Sequence, residues 1–176
     1  EWLMFLDDDD CLYADHVETL LAELAGKTEF SAAYSLAWEV ESELEQAGLE
    51  IFEGPYHQRS NQQQSFDYQL LRNSNYIPIQ SLLFKAALFA ERGGFDARFD
   101  CLEDWHLWQR YAHGNIFSYV AKTTSLYRIP LNIKQRNERQ VLFNNAYKEV
   151  KEDAARVIDT LEKKVQLSAL SSRKQA

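Results

Sequence analysis

The chain has 176 residues, 45% of them hydrophobic, with 27 acidic residues against 19 basic ones and a formal net charge of −8. That length supports one hydrophobic core with a tail rather than two full domains. The acidic balance excludes the broad positive field that draws proteins to nucleic acid, so no nucleic-acid partner is expected.

No apolar stretch approaches the roughly 20 residues that cross a bilayer, and the first residues lack the order of a signal peptide. No transmembrane segment is therefore expected, and the setting read from the chain is the cytoplasm, including the cytosolic face of a membrane. Two cysteines, Cys11 and Cys101, read as reduced thiols rather than a disulfide framework.

In chain order, Trp2-Leu3-Met4-Phe5-Leu6 runs straight into Asp7-Asp8-Asp9-Asp10. The apolar run predicts a buried central strand that delivers charge to the C-terminal edge of a sheet, where open α/β folds place their ligands. An extended backbone through the acids places Asp7 and Asp9 on one side and Asp8 and Asp10 on the other. Crowded carboxylates repel one another, and Mg²⁺ or Mn²⁺, bound through oxygen and shared with substrate phosphates, relieves the repulsion. A central strand needs neighbours on both sides, so further strands are expected upstream of Glu1.

Asp15 and Glu18 form a capping-box pattern for a helix over Val17 to Ala25, ended by Gly26, with Leu20, Leu21 and Leu24 as its buried stripe. Phe30 to Val40 reads as a strand, and polar Glu41 to Gln64 as a loop. A short helix over Phe66 to Arg72 precedes a strand at Ser81 to Phe84. Ala86 to Arg92 is a helix stopped by Gly93-Gly94.

Glu103 to His113 is predicted as a helix, with acids in its first turn and Trp105, Trp108 and Ala112 on one face. At that spacing the tryptophans belong to the core rather than to a sugar platform. Ile116 to Val120 and Thr124 to Arg128 read as two closing strands. From Asn137 to Val165, Phe143, Tyr147, Val150, Ala154, Val157, Leu161 and Val165 recur at helical spacing, and the tail from Ser171 is expected to fray. The organisation is thus an α/β body over 1–132 and an amphipathic helix with its tail over 133–176. That helix fits both packing against the body and a homo-oligomeric coiled coil.

FLDDDD at 5–10, GGFDARF at 93–99 and LEDWHLWQRYA at 102–112, with the strands at Ser81 and Thr124 between and after them, together resemble family 2 glycosyltransferases of the GT-A fold. The resemblance covers residues 1 to about 130. It implies the C-terminal portion of a mixed GT-A sheet flanked by helices, with the N-terminal nucleotide-binding strands outside this chain. It further implies an inverting, metal-dependent transfer of sugar from a nucleotide-diphosphate donor to a saccharide or lipid-linked acceptor hydroxyl.

By the same resemblance Asp7, Asp8 and Asp9 match the DxD motif that binds the donor diphosphate through Mn²⁺ or Mg²⁺. Asp9 is the direct metal ligand, and Asp7 is shared between metal and nucleoside. Glu103-Asp104 resembles the ED motif, with Asp104 as general base and Glu103 orienting the loop. Arg128, after Tyr127, stands as a contact to the diphosphate or as a surface ion pair. The His that many relatives carry after the Tyr-Arg pair is replaced here by Ile129-Pro130-Leu131-Asn132.

Two other classes compete. Phosphatases of the haloacid dehalogenase type also place DxD after an apolar strand, with Asp7 as nucleophile and Asp9 as acid/base. Cys11 stands where that fold prefers Thr or Val. A non-enzymatic interaction domain with an acidic cation-binding loop and an associating C-terminal helix is the third reading.

Overall fold

A computed structural model describes residues 1–44 and 51–173. Its spine is β3 (Phe30–Leu44), where alternation sends Ala32 and Tyr34 to one face and Ala33 to the other. Along one edge β3 pairs in parallel with β6 (Ile116–Pro130). Along the other it pairs antiparallel with β5 (Leu82–Lys85) near its start and with β4 (Ile51–His57) near its end. Two short strands complete a curled mixed sheet: β1 (Trp2–Leu3) on β5, and β2 (Cys11–Leu12) on β6. The spatial order is β1-β5-β3-β6-β2.

Helices cover both faces. The first, α1 (His16–Leu24), buries Leu20 and Leu24 against Ala33 and Leu83. A one-turn helix, α2 (Tyr68–Leu71), begins at Asp67, whose carboxylate accepts from the Leu70 N–H at 2.9 Å. Next, α3 (Ala86–Arg92) ends at Gly93, whose φ of +73° favours a residue without a Cβ.

On the opposite face lies α4 (Glu103–Ala112), in which every residue from Trp105 to Ala112 is buried. Outside it runs α5 (Ile133–Arg173), which buries Val150, Ala154 and Ile158. The main core is therefore a sheet–α4–α5 sandwich holding Trp105, Trp108, Tyr111, Phe84 and Phe117. No helix among the described residues is long and apolar enough to cross a membrane.

Several expectations are corrected. The strand expected over Trp2 to Leu6 stops at Leu3 and lies at the end of the sheet rather than in its centre. Leu3 and Leu6 are exposed, while Phe5 turns inward against Phe95 and Phe84 at ring separations of 4.5 and 5.5 Å. Ring packing, not strand pairing, accounts for that apolar run.

The acids do not alternate along a strand either, because the Asp10 N–H donates to the Asp7 carbonyl at 3.2 Å and closes a turn. The segment read as loop carries the end of β3 and all of β4, since cross-strand pairing overrides weak intrinsic propensity; residues 45–50 lie outside the described residues. The two closing strands are one, β6, whose register shifts opposite Ser35 to Ala37 absorb the polar Ala121-Lys122-Thr123 stretch.

Leu21 is exposed, and the inward position at the start of α1 belongs to His16, bonded to the Thr124 hydroxyl at 2.7 Å. The helix α5 starts at Ile133 rather than Asn137, because the Asn132 side chain accepts from the Lys134 and Gln135 N–H groups at 2.9 and 3.3 Å. It continues through Arg173, and Lys174 to Ala176 lie outside the described residues.

An ion-pair network clamps α5 to α4. Asp153 accepts from Arg98 at 2.9 Å and from Arg156 at 2.8 Å, and lies 3.1 Å from His106 Nε2. Arg98 also reaches Asp96 at 2.5 Å, tying the Gly-Gly-Phe-Asp loop into the same network. The carboxylate of Asp153 is 7% exposed and His106 is 1% exposed, so removing the acid leaves a buried imidazole without a partner. Asp153→Ala is expected to lower unfolding stability by about 1–3 kcal/mol in urea titrations. Arg156→Ala, at an exposed side chain, is expected to lower it by less than about 1 kcal/mol. Equal losses in the two variants would deny the clamp its central role.

Candidate functional site

The acidic turn owes its place to the strand order. Because β1 and β2 lie at opposite edges of the sheet, residues 4–10 must cross its end, and Phe5 anchors that crossing on the α4 face. The crossing carries Asp7 to Asp10 toward the N-terminus of α4.

Arg128 on β6 fastens the turn: its backbone N–H donates to Asp10 Oδ1 at 3.2 Å, and its guanidinium donates to the Asp9 carbonyl. The same guanidinium reaches Glu53 on β4 at 2.6 Å, so the turn and the β3–β4 hairpin share one cation. Arg128 is only 10% exposed, and of the two roles expected for it the ion pair is present, made to Glu53.

Glu103 and Asp104 sit in the first turn of α4, as expected. Asp104 Oδ1 accepts from the Trp105 N–H at 2.7 Å, and Oδ2 accepts from Asn75 Nδ2 at 2.9 Å. The residue before them, Leu102, holds a left-handed backbone with φ +59°, uncommon for a side chain of this kind. Its packing against the core holds it there.

Both indole N–H groups of the helix are satisfied within the core, Trp105 by the Leu71 carbonyl at 2.6 Å and Trp108 by the Ile77 carbonyl at 3.2 Å. The tryptophans are core residues, as their spacing predicts. Anchored at two points, α4 presents Asp104 from a fixed frame.

The acidic turn acts on Asp104 through the charge of Asp7. Burial pushes the Asp104 carboxyl up to about 6, and the charges of Glu103 and Asp7 add to the rise. Partial burial, then the charges of Asp9 and Asp8, also hold Asp7 above the usual carboxylate range, against the opposing pull of Arg139. Burial raises Asp10 furthest, to about 7. Asp8 itself is exposed and enters through its charge on Asp7.

The charges of Asp8 and Asp9 crowd Asp7, but among the described residues three or more possible ligand atoms converge only at Asp96, His106 and Asp153, not in this turn. Beside the turn lies a cavity of about 460 Å³. Asp9, Arg128, Ser42, Glu43, Gln135 and Arg139 are among its walls.

Three contributors escaped the sequence reading. Asn75 comes from the turn after α2 and carries no motif. Leu102 looks like an ordinary core residue until its backbone is seen. Arg139 lies in α5, where helical periodicity alone does not distinguish it from a solvated charge.

A second acidic cluster, Asp96, His106 and Asp153, brings possible ligand atoms within 4.8 Å of one another. Arg98 and Arg156 already neutralise it, so it reads as an ion-pair network. Comparison of the chain with protein-family models and with curated proteins gives no match.

Proposed function

We propose that the chain carries the metal-binding and base elements of an inverting, family 2 glycosyltransferase of GT-A type. In this reading it transfers sugar from a nucleotide-diphosphate donor to a saccharide or lipid-linked acceptor hydroxyl. The observation that supports it most is that the charge of Asp7, in the crossing turn, adds to the rise that burial and Glu103 impose on Asp104 at the head of α4.

Asp104 is suited to the base role. Each of its oxygens accepts one internal hydrogen bond, leaving lone pairs for an acceptor hydroxyl. A carboxyl displaced toward neutral pH is also a better proton acceptor than an ordinary one.

In the reaction, the acceptor O–H gives its proton to Asp104 as its oxygen bonds to the anomeric carbon. The bond from that carbon to the donor phosphate oxygen breaks, and the departing nucleoside diphosphate keeps the electron pair. A single displacement of this kind inverts the anomeric centre without a protein nucleophile. Asp9 and Asp7 would hold the divalent cation, which would stabilise the charge growing on the leaving group. Asp8 and Glu103 shape the field around the two acids, and Arg128 fixes the turn that carries Asp9.

Asp104→Ala is expected to lower transfer by the intact protein about 10²–10⁴-fold, the range of a lost general base. Asp9→Ala is expected to abolish transfer together with Mn²⁺-dependent nucleotide binding, read by calorimetry. Wild-type transfer in either variant would defeat the reading.

The base must be ionised to accept a proton. The rate should therefore rise with pH to a half-maximum near 6 and stay high above it, and Asp104→Asn should lose that limb. A profile flat from pH 5 to 7 would remove Asp104 from the role.

A further inference from the structure

The first turns of α5 form one wall of the cavity beside Asp9, through Gln135 and Arg139. These residues lie four apart and so share one helix face. The helix start that presents them is held in place three ways. Asn132 caps it, the Leu131 N–H donates to the Ser42 carbonyl at 2.8 Å, and Arg136 pairs with Glu41 on β3.

The two guanidinium groups on the cavity differ in one respect. Arg128 is engaged by Glu53 and the Asp9 carbonyl, with its buried Nε left without a partner. Arg139, by contrast, makes no ion pair among the described residues. It lies over the Phe143 ring at 5.2 Å, an arrangement that orients the planar group without neutralising it.

Arg139 thus stands on the wall of the cavity beside Asp9 and faces open volume.

We propose that Arg139 is an anion anchor of this cavity, binding with Arg128 the diphosphate of a metal-complexed donor, so that α5 contributes to the site directly. The inference rests on the glycosyltransferase reading and extends it to a residue outside the acidic motifs. A planar guanidinium pairs with phosphate through two parallel N–H bonds. The carboxylates of the turn repel a bare anion, which selects a diphosphate that arrives with its divalent cation.

The test is calorimetric titration of inorganic pyrophosphate, with and without Mn²⁺, into the full chain. Arg139→Ala is expected to weaken Mn²⁺-dependent binding by about tenfold or more, with Arg139→Lys recovering part of the loss and Lys148→Ala, on exposed α5 surface, unchanged. Arg139 is exposed, so thermal melts of its variants should match the parent. If Asp9→Ala abolishes the Mn²⁺-dependent binding while Arg139→Ala binds like the parent, the Arg139 inference fails and the wider reading stands. If the parent shows no Mn²⁺-dependent pyrophosphate binding, both fail. If Lys148→Ala weakens binding as much as Arg139→Ala, the effect is general charge and the anchor is overturned.

Discussion

Burial of α4 from Trp105 to its end is the constraint on which the rest depends. A ten-residue helix carrying two tryptophans, a histidine and an arginine lies between the sheet and α5, with every residue from Trp105 onward buried. Such burial is tolerable only if the polar groups find partners inside. The indoles donate to carbonyls of the segment 71–77, and Tyr111 donates to the Gly93 carbonyl at 2.7 Å. Arg110 reaches the Arg92 and Gly94 carbonyls at 2.5 and 2.6 Å, while Arg92 returns bonds to the end of α4, including the His113 carbonyl at 2.7 Å. Two arginines thereby close the C-termini of each other's helices, where positive charge also complements the helix dipole. The loop holding Gly93 and Gly94 is thus locked to the helix whose first turn carries Asp104.

Electrostatics then separates the acids by task. Several carboxylates are paired: Glu39 with Arg59, Glu53 with Arg128, and Asp96 and Asp153 with Arg98. Asp7, Asp10 and Asp104 are held above the usual carboxylate range by burial first and then by neighbouring acids, Asp8 and Asp9 for Asp7, Asp9 and Asp7 for Asp10, and Glu103 and Asp7 for Asp104. Arg139 at Asp7 and Arg128 at Asp10 offset this rise only in part.

The legible parts of the sequence were those set by local chemistry. The tryptophan helix followed from its 3.6-residue spacing and acidic first turn, α1 from its apolar stripe, and the long helix from its periodicity; the capping box expected at Asp15 does not form, because its carboxylate makes no cap hydrogen bond and pairs with Lys122 instead. The mixed α/β class was readable for the same reasons. What escaped depends on partners far away in the chain. Hairpin pairing made β4 out of a polar segment, and β6 became one strand because β3 offers it an unbroken edge. The four acids turn instead of alternating because the chain must pass from one edge of the sheet to the other, a demand written in the strand order rather than in Asp7 to Asp10 themselves. Asn75 and Arg139 are single polar residues whose significance comes only from what faces them.

The crossing of residues 4–10 carries a mechanical implication. A tether that joins both margins of a curved sheet fixes its curvature, and the curvature in turn sets how far the acidic turn hangs from the head of α4. Small side chains along the middle of β3, such as Ala32, Ala33 and Ala37, let neighbouring layers approach closely and thereby govern the bend. Enlarging one of them would open the arch from beneath and drag the carboxylates apart, without a single charged group having been touched.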